Sequence, residues 1–154
     1  MQPNAHTKID IFIDYTWPWV RQASIWLARV KNELGSRLQI NWRSFALEQV
    51  NSTHGDTWKA WEQGPEYLSR GLWALRGGIA ARAQGDDAHD AYMENILQAK
   101  HVDLTDVRSR ESVIDIAQTA KLEISRFSVD IDNPSTLKQI EQDHHDATQL
   151  GVFG

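Results

Sequence analysis

The chain has 154 residues, 41% hydrophobic and 24% charged, with seven tryptophans and a formal net charge of -5, the totals of one globular domain or one domain carrying an insertion. The acidic balance and scattered basic residues argue against nucleic acid and anionic membrane surfaces. No apolar run approaches the roughly 20 residues of a membrane helix, and no basic-then-apolar leader opens the chain, so a soluble, cytoplasmic protein is expected.

The first predicted element is a strand over Lys8–Tyr15, where apolar and polar residues alternate. Thr16-Trp17-Pro18-Trp19-Val20 then leads into a helix with Val20, Ala23, Leu27, Val30 and Leu34 on one face. Pro18 suits its first turn, where a missing N–H leaves nothing unpaired. Gly35-Ser36 marks a turn, and Leu38–Arg43 alternates as a second strand. Strand, helix, strand at this spacing predicts a βαβ unit with parallel strands and a right-handed crossover.

From Thr57 the pattern is helical. Leu68, Leu72, Leu75 and Ile79 form one stripe, closed by a polar turn at Gln84-Gly85-Asp86-Asp87. Ala88, Tyr92, Ile96 and Ala99 form a second. Val113, Ile116, Ala117 and Ala120 form a third, with Ser109 as N-cap. A short turn is expected around Ser125 to Ile131. Asn133-Pro134 opens a last helix as cap and first residue, with Leu137, Ile140, His144 and Ala147 on one side. The expected layout is residues 1–56 as the βαβ unit, 57–131 as a helical insertion and 132–154 as a return helix. Two strands make a marginal sheet, so its C-terminal part is expected to be missing.

The start of the first helix is where chemistry is expected, because free N–H groups and the helix dipole favour negative charge there. A thiol at that place is acidified and reactive, yet the chain has no cysteine. Disulfides, thiolate zinc sites, iron–sulfur clusters and dithiol exchange are therefore excluded. Trp17-Pro18-Trp19-Val20 reads either as an aromatic binding lip or as a decayed site in which Trp17 fills space. Arg43 either clamps a substrate carboxylate or pairs with a carboxylate such as Glu48. Trp58 and Trp61, sharing a helix face, either pack the core or line a hydrophobic groove. Asp143-His144-His145-Asp146 lacks the His-x-x-x-His spacing that puts two ligands on one face, so no metal is expected and His144 reads as a half-buried core residue. Gly77-Gly78 lacks the strand-before setting of a phosphate loop. Ser24 and Thr16 are the hydroxyls near the helix start, with no base legible beside them.

Three segments carry a resemblance: Ile11-Phe12-Ile13-Asp14-Tyr15-Thr16-Trp17-Pro18-Trp19, Asn41-Trp42-Arg43-Ser44-Phe45-Ala46-Leu47 and Leu150-Gly151-Val152-Phe153-Gly154. In this order the chain resembles the DsbA-type thiol–disulfide oxidoreductases, in the cytoplasmic branch near the 2-hydroxychromene-2-carboxylate isomerases. The resemblance implies an α/β, thioredoxin-like fold with an all-helical insertion. It places Trp17 and Val20 at the two cysteine positions, so no catalytic residue is assigned and dithiol activity is not expected. It also implies that Gly151-Val152 leads into a cis-proline loop and further strands, which leaves the first strand as an open edge where a second copy can pair. The substrate-binding set implied is Thr16, Trp17, Pro18, Trp19, Arg43 and Phe45. Three functions follow: a redox-inactive binder of a small thiol or aromatic compound, an isomerase or transferase with glutathione as its cofactor, or a non-enzymatic interaction protein.

Overall fold

The computed structural model describes residues 6–153. Thr7–Ile13 (β1) and Leu38–Ser44 (β2) run parallel, with Thr7 opposite Leu38 and Ile13 opposite Ser44, and Pro18–Leu34 (α1) connects them. The period of two sends Ile9 and Ile11, with their partners Ile40 and Trp42, to one face, and Phe12 with Arg43 to the other. The first face lies under α1, where Ile40 and Trp42 floor a groove beside Leu27. The second is covered by Ser135–Gln149 (α7), to which Arg43 is tied through Asp143. Gly35 ends α1 at φ 54°, a left-handed conformation suited to glycine, with its N–H donated to the Lys31 carbonyl.

The buried ridge of α1 is narrower than its apolar pattern. Val20 and Leu27 are buried and Val30 is half-buried, whereas Ala23 and Leu34 are exposed. Neighbours reach α1 from the sheet and from Asp86–His101 (α4), and the remaining flank stays open to solvent among the described residues.

Helix does not begin at Thr57. After Leu47–Val50 (α2) the chain is irregular as far as Gly71, apart from a 3-10 turn at Ala60–Glu62, and Leu72–Arg82 (α3) starts beyond Leu68. Gly71 is the N-cap, and side chains ahead of it hold that start. The Ser69 hydroxyl accepts the N–H groups of Gly71 and Leu72 at 3.2 and 2.8 Å, and Glu48 accepts the Ser69 hydroxyl and the Arg70 N–H. Leu68 is left 61% exposed. Asp86 and Asp87, read as part of a turn, open α4, where acidic side chains suit the positive helix end.

Arg110–Thr119 (α5) starts as expected, with Ser109 Oγ accepting the Ser112 N–H at 3.1 Å. Residues Ser125 to Ile131, read as a turn, belong instead to a helix, Ile124–Asp132 (α6). Glu123 caps it by accepting the N–H groups of Ser125 and Arg126 at 3.1 and 2.8 Å, and Phe127 and Ile131 are buried four residues apart on one face. The last helix starts one residue later than expected, at Ser135 with Pro134 as its N-cap, and Asn133 Oδ1 accepts the Ser135 N–H at 2.9 Å from just ahead of it.

The core is built around α3, which packs on α4, α5, α6 and α7. Its small residues admit two tyrosines. A Cβ on Gly77 would lie 2.3 Å from Tyr92 Oη, and one on Gly78 would lie 2.3 Å from Tyr15 Oη. Tyr15 enters from the end of β1, meets Tyr92 edge-on with centroids 5.7 Å apart, and lies 3.3 Å from His89 Nε2. One apolar cluster thereby runs from the strands into the helical block. Among the described residues no helix is long and apolar enough to cross a membrane.

Candidate functional site

The chain turns from β1 into α1 around a buried carboxylate. Asp14 is 4% exposed; its Oδ1 accepts the Thr16 N–H at 2.8 Å and the Thr16 hydroxyl at 2.6 Å, and its Oδ2 accepts the Leu47 N–H at 2.8 Å. Burial pushes the Asp14 carboxyl above its ordinary value, opposed by these hydrogen bonds from Thr16 and Leu47. The side chain thus fixes the turn and ties it to the first N–H of α2. An acid between an apolar strand and a Thr carries the signature of an Asx turn, which was the available signal.

Beyond the turn, Trp17 is the extended N-cap of α1 and Pro18 its first residue. No side chain caps this end and no acidic residue stands in the first turn. Trp17 and Trp19 are 44% and 66% exposed, while Val20 is buried. Trp17, Pro18 and Trp19 are thus exposed next to one another on the surface, and Thr16 beside them is half-buried. The Thr16 and Ser24 hydroxyls donate to Asp14 Oδ1 and the Arg21 carbonyl, and neither is hydrogen-bonded to a histidine.

Arg43 and Phe45 lie on the opposite side of the sheet. Arg43 Nε donates to Asp143 Oδ1 at 2.8 Å, Nη1 lies 3.4 Å from Asp10 Oδ2, and Nη2 pairs with Asp146. Its carboxylate partners are thus on β1 and α7, and Glu48, the partner considered from sequence, is engaged by Tyr67 and Ser69. Burial alone would lower the Arg43 pKa, and the hydrogen bonds with Asp146 and Asp143 more than reverse that effect. Phe45 is buried, stacked on the His144 ring at 4.8 Å and 12°. Trp61 lies on the same histidine at 5.3 Å, and the three rings border an open cavity of about 790 Å³. The exposed tryptophans and this cavity are separate places in the fold.

His144 is half-buried with Nδ1 unpartnered, and burial lowers its pKa to about 4. Asp143 faces Arg43 and the Ser44 N–H, and no metal-holding group of His, Asp and Glu occurs among the described residues. Trp58 and Trp61 do not share a helix face. Trp58 follows a turn and meets Tyr67 edge-on at 5.6 Å, while Trp61 sits in the 3-10 turn. Gln49 Oε1 accepts the Ala60 N–H and Gln49 Nε2 donates to the Trp58 carbonyl, which holds the segment in irregular form.

No known family model matches the chain. It is similar to the uncharacterized protein Rv2286c of Mycobacterium tuberculosis, 25% identical over 163 residues that cover 96% of this chain and 62% of that protein. The chain therefore spans less than two thirds of this relative's length. Among solved structures, a candidate protein disulfide isomerase from Nitrosomonas europaea superposes with a TM-score of 0.76 at 15% identity, over 97% of this chain and 81% of that one. Reduced DsbA1 from Neisseria meningitidis superposes with a TM-score of 0.63 at 11% identity, over 100% of this chain and 71% of that one. The chain has the thioredoxin-like fold with a helical insertion seen in DsbA-type structures, and it carries that fold without a single cysteine.

Proposed function

We propose that this chain is a redox-inactive binding protein that takes a small aromatic or thiol compound, glutathione included, at the lip formed by Thr16, Trp17, Pro18 and Trp19. The observation that carries the reading is the pair of indoles, 44% and 66% exposed, at a helix end that has no acidic side chain of its own. Indole faces favour planar or thioether groups, and the uncapped N–H groups favour a thiolate or carboxylate. Dithiol exchange needs a protein thiolate, which no residue here supplies. The same reading places the protein in the cytoplasm, where glutathione is kept largely reduced.

Titration of tryptophan fluorescence with glutathione and with its S-methyl form tests the proposal. Saturable quenching that is lost in Trp17→Ala and Trp19→Ala supports it, and an unchanged spectrum in both titrations overturns it. The double variant Trp17→Cys, Val20→Cys separates a lost redox site from one that never existed, since only the former gains disulfide reductase activity.

A second reading, an interaction protein pairing through the edge of β1, rests on a different observation. The pairing described for β1 is with β2 alone, and Ile9, Ile11 and Phe12 are only half-buried. Association with a second copy in light scattering supports it. A monodisperse monomer whose β1 amides resist hydrogen exchange sinks it.

A further inference from the structure

Arg82 ends α3 at the outer edge of β2, where Nη1 donates to Asn41 Oδ1 at 2.9 Å. Among the described residues that amide oxygen is its only hydrogen-bond partner, and no carboxylate lies within 4.0 Å of its guanidinium. Arg21 is likewise half-buried without a carboxylate partner among the described residues, whereas several other arginines are paired. Arg43, Arg108, Arg110 and Arg126 each pair with a carboxylate, and the half-buried Arg76 lies 4.5 Å over the Trp73 ring while donating to Thr136 Oγ1. Arg82 is half-buried as well, and burial lowers its pKa, with the nearby Arg43 charge adding to the fall against Tyr15, Asp143 and Asp86. A partly desolvated cation with no carboxylate in hydrogen-bond contact is unfavourable, since the charges of Asp143 and Asp86 act on it only from farther off. Nη1 is its one hydrogen-bonded donor among the described residues.

These donors border a cavity of about 260 Å³ walled by Trp42, Ile79, Asn41, Gln139 and Arg43, the last already paired with carboxylates. Asp143 also borders it, with its oxygens already accepting from Arg43, Ser44 and Gln139. We infer that this cavity binds a small aliphatic monocarboxylate, its oxygens on the Arg82 guanidinium and its short apolar tail between Trp42 and Ile79. A planar carboxylate matches the guanidinium fork. The Asp143 carboxylate at the cavity wall disfavours a phosphate dianion more than a singly charged anion.

Sodium isobutyrate is the probe, titrated against sodium chloride at equal ionic strength and pH 7.5. The expected result is a saturable rise in Tm, together with a shift of one arginine Nε–H cross-peak in ¹H–¹⁵N NMR spectra. Arg82→Gln is expected to weaken binding by about tenfold or more, whereas Arg37→Gln, at an exposed arginine, leaves it unchanged. If Arg82→Gln does not fold, the cross-peak shift in the unaltered protein decides the matter. A response equal to that of chloride overturns the inference, as does a response retained in Arg82→Gln. A response to phosphate in place of isobutyrate overturns the ligand class.

Discussion

Arg43 Nε and Asp143 Oδ1 stand 2.8 Å apart although 100 residues separate them, and this contact fastens β2 to α7. Asp143 is 4% exposed and also accepts the Ser44 N–H at 3.0 Å, so one carboxylate satisfies both the side chain and the backbone at the end of the strand. Removing Asp143 leaves the Ser44 N–H without its acceptor and Arg43 with only Asp146 and Asp10. Removing Arg43 leaves the buried Asp143 carboxylate with the Ser44 and Gln139 donors alone, so either change costs more than the net gain from the pair.

Asp143→Ala is accordingly expected to destabilise the protein by about 3 kcal/mol, measured by urea unfolding. Arg43→Met, which removes the charge and keeps a packing stem, should lower stability by a similar or smaller amount. If Arg43 served a ligand alone, Arg43→Met would leave the unfolding midpoint where it is.

Gly78→Ala places a methyl group where Tyr15 Oη now lies, 2.3 Å from the added Cβ. The gain in helix propensity, about 1 kcal/mol, is outweighed by overpacking of a rigid ring, with a net loss of about 1–3 kcal/mol expected. Combining it with Tyr15→Phe tests the cause, because removing the hydroxyl should recover part of the loss. Equal Tm values for Gly78→Ala and the parent protein would refute the packing role.

Two histidines make stability depend on pH. Burial lowers His89 to about 3 and His144 to about 4 from an ordinary value of 6.5. The unfolded chain therefore binds protons first, and the stability present above pH 6.5 is lost as pH falls towards these folded values. Asp14, raised by burial, acts in the opposite sense: its contribution is present below its ordinary value and is lost as pH rises through the folded one. Unfolding free energy measured from pH 7 down to 4.5 should fall, and His144→Phe should reduce that slope by up to about 1.4 kcal/mol per pH unit, the value for one proton. An unchanged slope would show that His144 titrates normally.

Ser109→Ala removes the acceptor of the Ser112 N–H at the start of α5 and should cost about 1 kcal/mol. Ser109→Asp, which keeps an acceptor and adds favourable charge, should retain stability. Thermal unfolding of the pair separates a capping effect from a general intolerance of change at this position.

Local patterns were enough to read the βαβ unit, the proline start of α1 and the Ser109 cap, because each depends on residues within a few positions of one another. The absence of sulfur chemistry was likewise legible from composition, since no arrangement of the chain creates a thiol. The irregular stretch before α3 was not legible, because Glu48 and Gln49 hold it from the preceding helix. The α6 helix was missed for a different reason: its cap is a glutamate, which is uncommon in that role. The partners of Arg43, the insertion of Tyr15 against Gly78 and the lone Arg82 guanidinium join residues far apart in the chain. Such contacts depend on how the elements dock, where burial makes each polar group choose among partners that adjacency cannot reveal.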